Sequence, residues 1–255
     1  MSALPTSGRG TEVRVIPLVG IPEIEEGDDL AGLLLDAGER AGGFLEADVL
    51  VVAQKAVSKA EGRVVRFDDV EPSAQALELA DDRDPRHVEW ILRESAKVVR
   101  VRPPLIISET RHGFVCASAG VDASNAKGEG TLILLPLDPD ASAAALRDAF
   151  RDRAGVEVGV IVSDSFGRPF RQGTTDVALG VAGITPLRDL RGVRDRAGYE
   201  LHATQIAVAD ELAGAAELVM GKVEGNPAAI LRGVDLRGEG TGADIPIAEE
   251  RDLFR

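Results

Sequence analysis

Strand-like and helix-like stretches follow one another in this chain without the regular strand–helix–strand rhythm of a doubly wound parallel sheet. That irregularity narrows the fold more than any other feature. ADVLVVA and VEVGVIV are short, apolar and rich in valine, and they read as buried strands. Val13, Val15 and the run at 17–21 read as a strand entering a turn. DDLAGLLLDAGERAGG sets Leu30, Leu33, Leu34 and Ala37 at helical spacing behind a cap at Asp28 or Asp29. DPDASAAALRDAFRDRAG reads as a capped amphipathic helix. ATQIAVADELAGAAELVMG repeats through Val208, Leu212, Ala215 and Val219 until Gly221 stops it.

The intervening QKAVSKAEG reads as a polar loop, with a strand after Gly62. Two short helices come next, the second opening at Asp84-Pro85 with Val88, Ile91 and Leu92 on one face. Strands are expected at 98–101, 105–107 and 113–117, around a break at Pro103-Pro104, and TLILLPL is another. The expected class is α+β in two parts with a soft boundary near the prolines: 1–100 with 217–255, and 101–216.

Composition excludes several functions. At 255 residues, 44% of them hydrophobic, the chain can bury a sizeable core. A net charge of −14 and 4% aromatic residues argue against nucleic acid, which demands a basic face and stacking groups. The single cysteine, Cys116, sits in the mostly apolar FVCASAG, so no intrachain disulfide forms and a cytoplasmic setting fits. Neither a signal peptide nor a stretch of membrane-spanning length is visible, so no membrane association is expected. An anionic ligand would have to meet a local exception to the acidity, and Arg168, Arg171, Arg188, Arg191 and Arg194 supply one.

Neither GxxxxGK[ST] nor a strand-linked GxGxxG occurs, and CxxC and HExxH are missing. The three histidines, His87, His112 and His202, lack metal-ligand spacing. What remains is a set of polar, glycine-punctuated segments, most of them behind apolar runs: LVGIPEI, QKAVSKAEG, SAGVDASN, SDSFGRPFRQG and MGKVEGNP. Oxygen atoms of Asp122, Asn125, Asp164 and Ser165 suit a hard cation that shares its shell with phosphate and water. Lys55, Lys59 and Lys222 suit a polyphosphate. The residues alone leave this reading open beside that of ordinary solvated turns. Arg168 and Arg171 have two readings as well, a bidentate anion clamp or a structural ion pair with Asp176. Asp210 and Glu211 read as a solvated or paired face, and His87 and Trp90 as packing or capping groups.

Taken in order, VIPLVGIPEIEEGDDL, VVAQKAVSKAEGR, HVEWILRES, SAGVDASN, SDSFGRPFRQGTTDVALGVAGI and VADELAGAAELVMGKVEGNP resemble the coenzyme F420-0:gamma-glutamyl ligase family, in its form without a C-terminal flavin-binding domain. The resemblance implies a GTP-dependent ligase that adds L-glutamate to the lactyl carboxylate of a deazaflavin precursor, F420-0, and further glutamate through a gamma linkage. It implies a two-domain α+β fold in an intertwined homodimer. It also implies magnesium or manganese, two divalent ions in all, with potassium as a helper. Matched by motif, Leu18, Val19, Gly20, Ile21, Gln54, Lys55, Lys59 and Asn125 stand at GTP-contacting positions. So do Met220, Gly221, Lys222, Val223, Glu224, Gly225, Asn226 and Pro227. Asp122 and Asp164 match metal ligands, and Ser165 stands where the family often has threonine at a second metal. Catalysis is then expected to centre on Asp122, Asp164 and Arg171. A phosphotransferase or ligase acting on another acid is the alternative left open.

Overall fold

A computed structural model describes residues 12–254. In chain order the elements are β1 (Arg14–Pro17), α1 (Leu30–Arg40), β2 (Val49–Ala53), α2 (Gln54–Ala60), β3 (Val64–Arg66), α3 (Ala74–Leu79), α4 (Pro85–Glu94), β4 (Ser95–Arg102) and β5 (Leu105–Thr110). They continue with β6 (Val115–Ala117), β7 (Thr131–Ile133), α5 (Pro139–Ala154), β8 (Gly159–Gly167), β9 (Thr174–Ala182), β10 (Arg188–Asp189), β11 (Gln205–Ile206), α6 (Val208–Met220) and β12 (Ala228–Arg232). The class is α+β, as expected.

A five-stranded sheet in the order β1-β12-β2-β8-β9 forms the centre. All neighbours are antiparallel except β2 and β8, which run parallel with Val49 opposite Gly159 and Ala53 opposite Ser163. Alternation by two explains why these strands read as unbroken apolar runs: both faces are covered. Leu50, Val52, Val160, Val162 and Ile230 pack with Leu34 of α1 and with Leu146 and Phe150 of α5. Val49, Val51, Ile161 and Leu231 pack with Leu212, Ala213 and Ala216 of α6. Each fully buried Val, Leu or Ile contributes about 1.5–3 kcal/mol over an exposed one.

Caps fix where the helices begin. Asp29, Asp84 and Asp138 accept from backbone N–H groups at the starts of α1, α4 and α5, the last two helices with proline in the first turn. Asp29 also pairs with Arg153 at 2.6 Å, tying α1 to the end of α5. Buried Asp48 receives a two-pronged contact from Arg232, 2.9 Å to Oδ1 and 2.7 Å to Oδ2, which joins the start of β2 to the end of β12.

A second group of elements lies within residues 64–135. It contains the β3–β7 pair and a three-stranded β4-β5-β6 sheet, with α3 and α4 against them. Its core is formed by Ala76, Val88, Ile91, Ile106, Val121, Leu132 and Leu134. Pro103 and Pro104 form the turn between β4 and β5, with Arg102 opposite Leu105. The main sheet joins β2, from the 1–100 span, to β8 and β9, from the 101–216 span.

One local reading is corrected. QKAVSKA is not a loop but α2, starting directly at the end of β2. Ala56 and Val57 are buried in the main core, and Gln, Lys and Ala are good helix formers, so burial of a short apolar edge outweighs the polar composition.

Candidate functional site

The parallel pair sets the position of the site. β2 and β8 both end at the same edge of the sheet, and β12 begins there, its preceding Pro227 carbonyl accepting from Ala53 N at 2.8 Å. A cleft of about 310 Å³ opens at this edge. Its walls are residues 21–24, the start of α2, Asn125, Ser163, Asp164, Ser165 and Asp176 of the β8–β9 hairpin, and the end of α6 with the loop after it. Ligand sites at the carboxyl ends of parallel strands follow from this geometry, since the loops there diverge.

Gly221 makes the turn out of α6 possible. Its φ of 62° and ψ of 172° are open essentially to glycine alone, and a Cβ would lie 1.9 Å from Glu224 Oε2. The chain then returns past Asn226, whose Nδ2 donates to Val219 O at 3.3 Å, into β12.

The electrostatics are uneven. Burial pushes the Asp164 carboxyl up to about 7, against the Ser165 N–H and the Lys55 charge, while Asp176 and Asp122 add to the rise. Burial works on Asp122 too, but here its opponents prevail. Lys55 at 2.7 Å, the Ser124 N–H at 2.7 Å and the Ser124 hydroxyl at 2.8 Å hold it below its ordinary range. Lys222 stands 4.0 Å from Asp122, and Lys59 donates to Glu23 at 2.5 Å. Gln54 is buried, accepts from Ser58 Oγ at 2.9 Å, and leaves its Nε2 without a partner in the cleft wall. An unmet buried donor costs about 1–3 kcal/mol, which an acceptor oxygen of a bound ligand would recover.

Among the described residues no three His, Cys, Asp or Glu side chains gather tightly enough to cage a metal ion by themselves. The donor set of two carboxylates and a hydroxyl is hard oxygen, the kind magnesium or manganese completes with water and phosphate. The Asp164 carboxyl, desolvated and in no ion pair among the described residues, fits such an ion.

Of the residues singled out from the sequence, Ile21, Gln54, Lys55, Lys59, Asn125, Asp164, Ser165, Met220, Gly221, Lys222, Gly225, Asn226 and Pro227 line the cleft. Asp122 reaches it through Lys55. Leu18 is fully buried and donates its N–H to Ala228 O, whereas Val19 and Val223 are 52% and 89% exposed. The carbonyls of Val19 and Gly20 both accept from Arg40, and Glu224 accepts from Val223 N. Arg171 is exposed on the β8–β9 turn, outside the lining.

The ion-pair reading of Arg171 with Asp176 is corrected: Asp176 is buried and taken by Ser163 Oγ at 2.9 Å and Ser165 Oγ at 2.8 Å. Arg191 pairs with Asp189, and Arg194 contacts Gly198 O and Glu200, so these arginines are satisfied within their own excursion. Sequence reasoning gave no site role to Glu217 or to Asp176 beyond an ion pair, and singled out Ser163 and Glu23 only as parts of their segments, yet all four line the cleft. The register that sets Asp176 opposite Ser165 was the signal, and it depends on the hairpin length.

Fold and site together define an α+β protein with one composite, oxygen-rich and lysine-edged cleft. The sequence model of the F420-0:gamma-glutamyl ligase family matches residues 19–233. The chain is 45% identical to the coenzyme F420:L-glutamate ligase of Methanothermobacter thermautotrophicus, over 95% of this chain and 99% of that protein. It is 46% identical to that of Methanopyrus kandleri over the full length of both, and 42% identical to that of Archaeoglobus fulgidus over 95% and 96%. The chain belongs to the F420-0:gamma-glutamyl ligase family.

Proposed function

We propose that this chain joins L-glutamate to the deazaflavin precursor F420-0, and a further glutamate to the gamma carboxyl of the first, with GTP as the activating co-substrate. The observation that carries the reading is the meeting, in one cleft, of cationic and oxygen-bearing residues from segments far apart in the chain: Lys55, Lys59, Asn125, Asp164, Ser165 and Lys222. The relatives named above are coenzyme F420:L-glutamate ligases, which supplies the acceptor and the amino acid.

Joining an amine to a carboxylate requires a leaving group on the carboxyl carbon. A substrate carboxylate oxygen attacks the gamma phosphorus of GTP, the bond to the bridging oxygen breaks, and GDP departs with its electron pair, leaving an acyl phosphate. The glutamate nitrogen, having lost a proton, attacks the acyl carbon and inorganic phosphate leaves. Lys55, Lys59 and Lys222 offset the charge of the phosphates. Gln54 Nε2 donates to one of their oxygens, and the loop at 220–227 forms a wall beside the nucleotide. Magnesium or manganese, held by Asp122, Asp164 and Ser165, would neutralise phosphate charge during transfer. Much of the rate then comes from holding two anions in line within the cleft.

Arg171, at the tip of the hairpin, is assigned to the incoming substrate anion. Lysine keeps its charge but loses the planar fork, so Arg171→Lys should raise KM for F420-0 or glutamate with Tm unchanged. An unaltered KM would remove it from the site. The reading as a whole is tested by mass spectrometry of the product from purified protein, GTP, glutamate and F420-0. A glutamylated deazaflavin with matching GDP release is expected, and GDP release at full rate without precursor would overturn the assignment.

A further inference from the structure

Besides the desolvated carboxyl of Asp164, three acidic residues are buried among the described residues: Asp48, Glu89 and Asp176. Asp48 is gripped by Arg232, and Glu89 by Arg93 and the Ser73 N–H. Asp176 is different. It is 5% exposed, no lysine or arginine pairs with it among the described residues, and its carboxylate oxygens are met by two serine hydroxyls, Ser163 Oγ to Oδ2 at 2.9 Å and Ser165 Oγ to Oδ1 at 2.8 Å. Nothing in the reaction set out above uses it, although it lines the cleft.

The arrangement fixes protons. A serine hydroxyl has one proton to donate and two lone pairs, and a carboxylate only accepts. Both hydroxyl protons are therefore committed to Asp176. Ser163 is 1% exposed, whereas Ser165 is partly exposed at the cleft wall. There it has only lone pairs left to offer, beside the carboxylate of Asp164. An oxygen so oriented repels an anion and receives a cation. The strands enforce the geometry: a register shift between Val162 and Ser163 re-aims the end of β8 and brings Ser165 directly across from Asp176.

We propose that Asp176 is a positioning residue, which by taking the hydroxyl protons of Ser163 and Ser165 holds Ser165 Oγ as an electron-pair donor to a divalent cation in the cleft. This rests on the cation-assisted reading of the site given above. It deepens that reading by naming a residue that acts through another.

The test is Mn2+ titration of the purified protein in the presence of GDP, with free Mn2+ read by electron paramagnetic resonance. Asp176→Asn and Asp176→Ala are expected to weaken Mn2+ binding by about tenfold or more, the usual scale for a group orienting a metal ligand. In a Ser165→Ala background the same Asp176 changes should add less than about twofold, because the route through Ser165 is already cut. Unchanged Mn2+ affinity in a folded Asp176 variant overturns the inference and leaves the cation reading standing. An equal loss in both backgrounds overturns it too, since a charge acting at a distance would not need Ser165. Absence of Mn2+ binding by the wild type overturns the cation reading, and the inference with it. Should the Asp176 variants not fold, a crystal structure of the wild type with Mn2+ and GDP decides. Ser165 Oγ on the ion with Asp176 still in hydrogen-bond reach supports the role, and Ser165 turned away refutes it.

Discussion

Asp164 sits where its charge is costly. Its folded pKa lies near 7 and its ordinary value is 3.8, so between these the native state holds a proton that the unfolded chain has released. Stability from this group is complete below pH 3.8 and is lost as pH rises through about 7. Asp164→Asn removes that loss. In the absence of divalent metal its Tm at pH 8 should exceed that of the wild type by calorimetry, with the gap narrowing toward pH 4. Turnover should meanwhile fall by at least about a hundredfold. A variant with near wild-type turnover would leave the Asp164-Ser165 pair a purely structural part of β8. Cys116 offers a second check at this scale. Burial, with the Asp164 charge nearby, pushes its thiol up to about 12, so iodoacetamide should label it only after denaturation. Rapid labelling of the native protein would contradict its burial. Asp164, Ser165 and the lysines were legible as residues because charged and hydroxyl groups directly after an apolar run stand out. Asp176 was not, because it falls among threonines and its meaning depends on which serine lies opposite.

Elements that end at the cleft carry its shape. The turn after α6 depends on a backbone conformation nearly closed to any residue with a Cβ, so Gly221→Ala should cost about 1–3 kcal/mol. The cost should fall on the 220–227 loop, lowering GDP affinity by titration calorimetry while the β1-β12-β2 pairing survives. Unaltered GDP affinity would show that the loop is not a nucleotide wall. α6 also repairs a weakness in β9, an edge strand: Asp210 Oδ1 accepts from Ala178 N at 2.9 Å, and Asp140 of α5 accepts from Val181 N at 2.7 Å. Asp210 is thus paired rather than solvated, the second of the two readings its sequence context allowed. Capped helices were easy to read, since Asp-Pro and Gly mark their ends. α2 was misread because its apolar edge is only Ala56, Val57 and Ala60, too short for periodicity to show.

For the whole molecule, the order of strands was hidden. Local patterns name strands and helices, but nothing in RVIP or AAILR announces that they pair with each other across nearly the full chain. We propose that two chains assemble as a homodimer. The 26.9 kDa chain exposes Phe170 against Phe254 on the hairpin tip, and Leu218 and Val223 beside the cleft. Light scattering should therefore give twice the chain mass, and a fully active monomer at micromolar concentration would refute it. Among the described residues β1 pairs with β12 alone, which has a consequence for synthesis on the ribosome. The first strand leaves the exit tunnel early but has no neighbour until residues 228–232 follow, and the parallel contact of β2 with β8 must wait for all that lies between. During translation the nascent chain therefore holds two orphan strands, and the sheet closes only as the last wall of the cleft emerges. A polypeptide released early keeps exposed strand edges, a substrate for holding chaperones and proteases, and never a half-working enzyme.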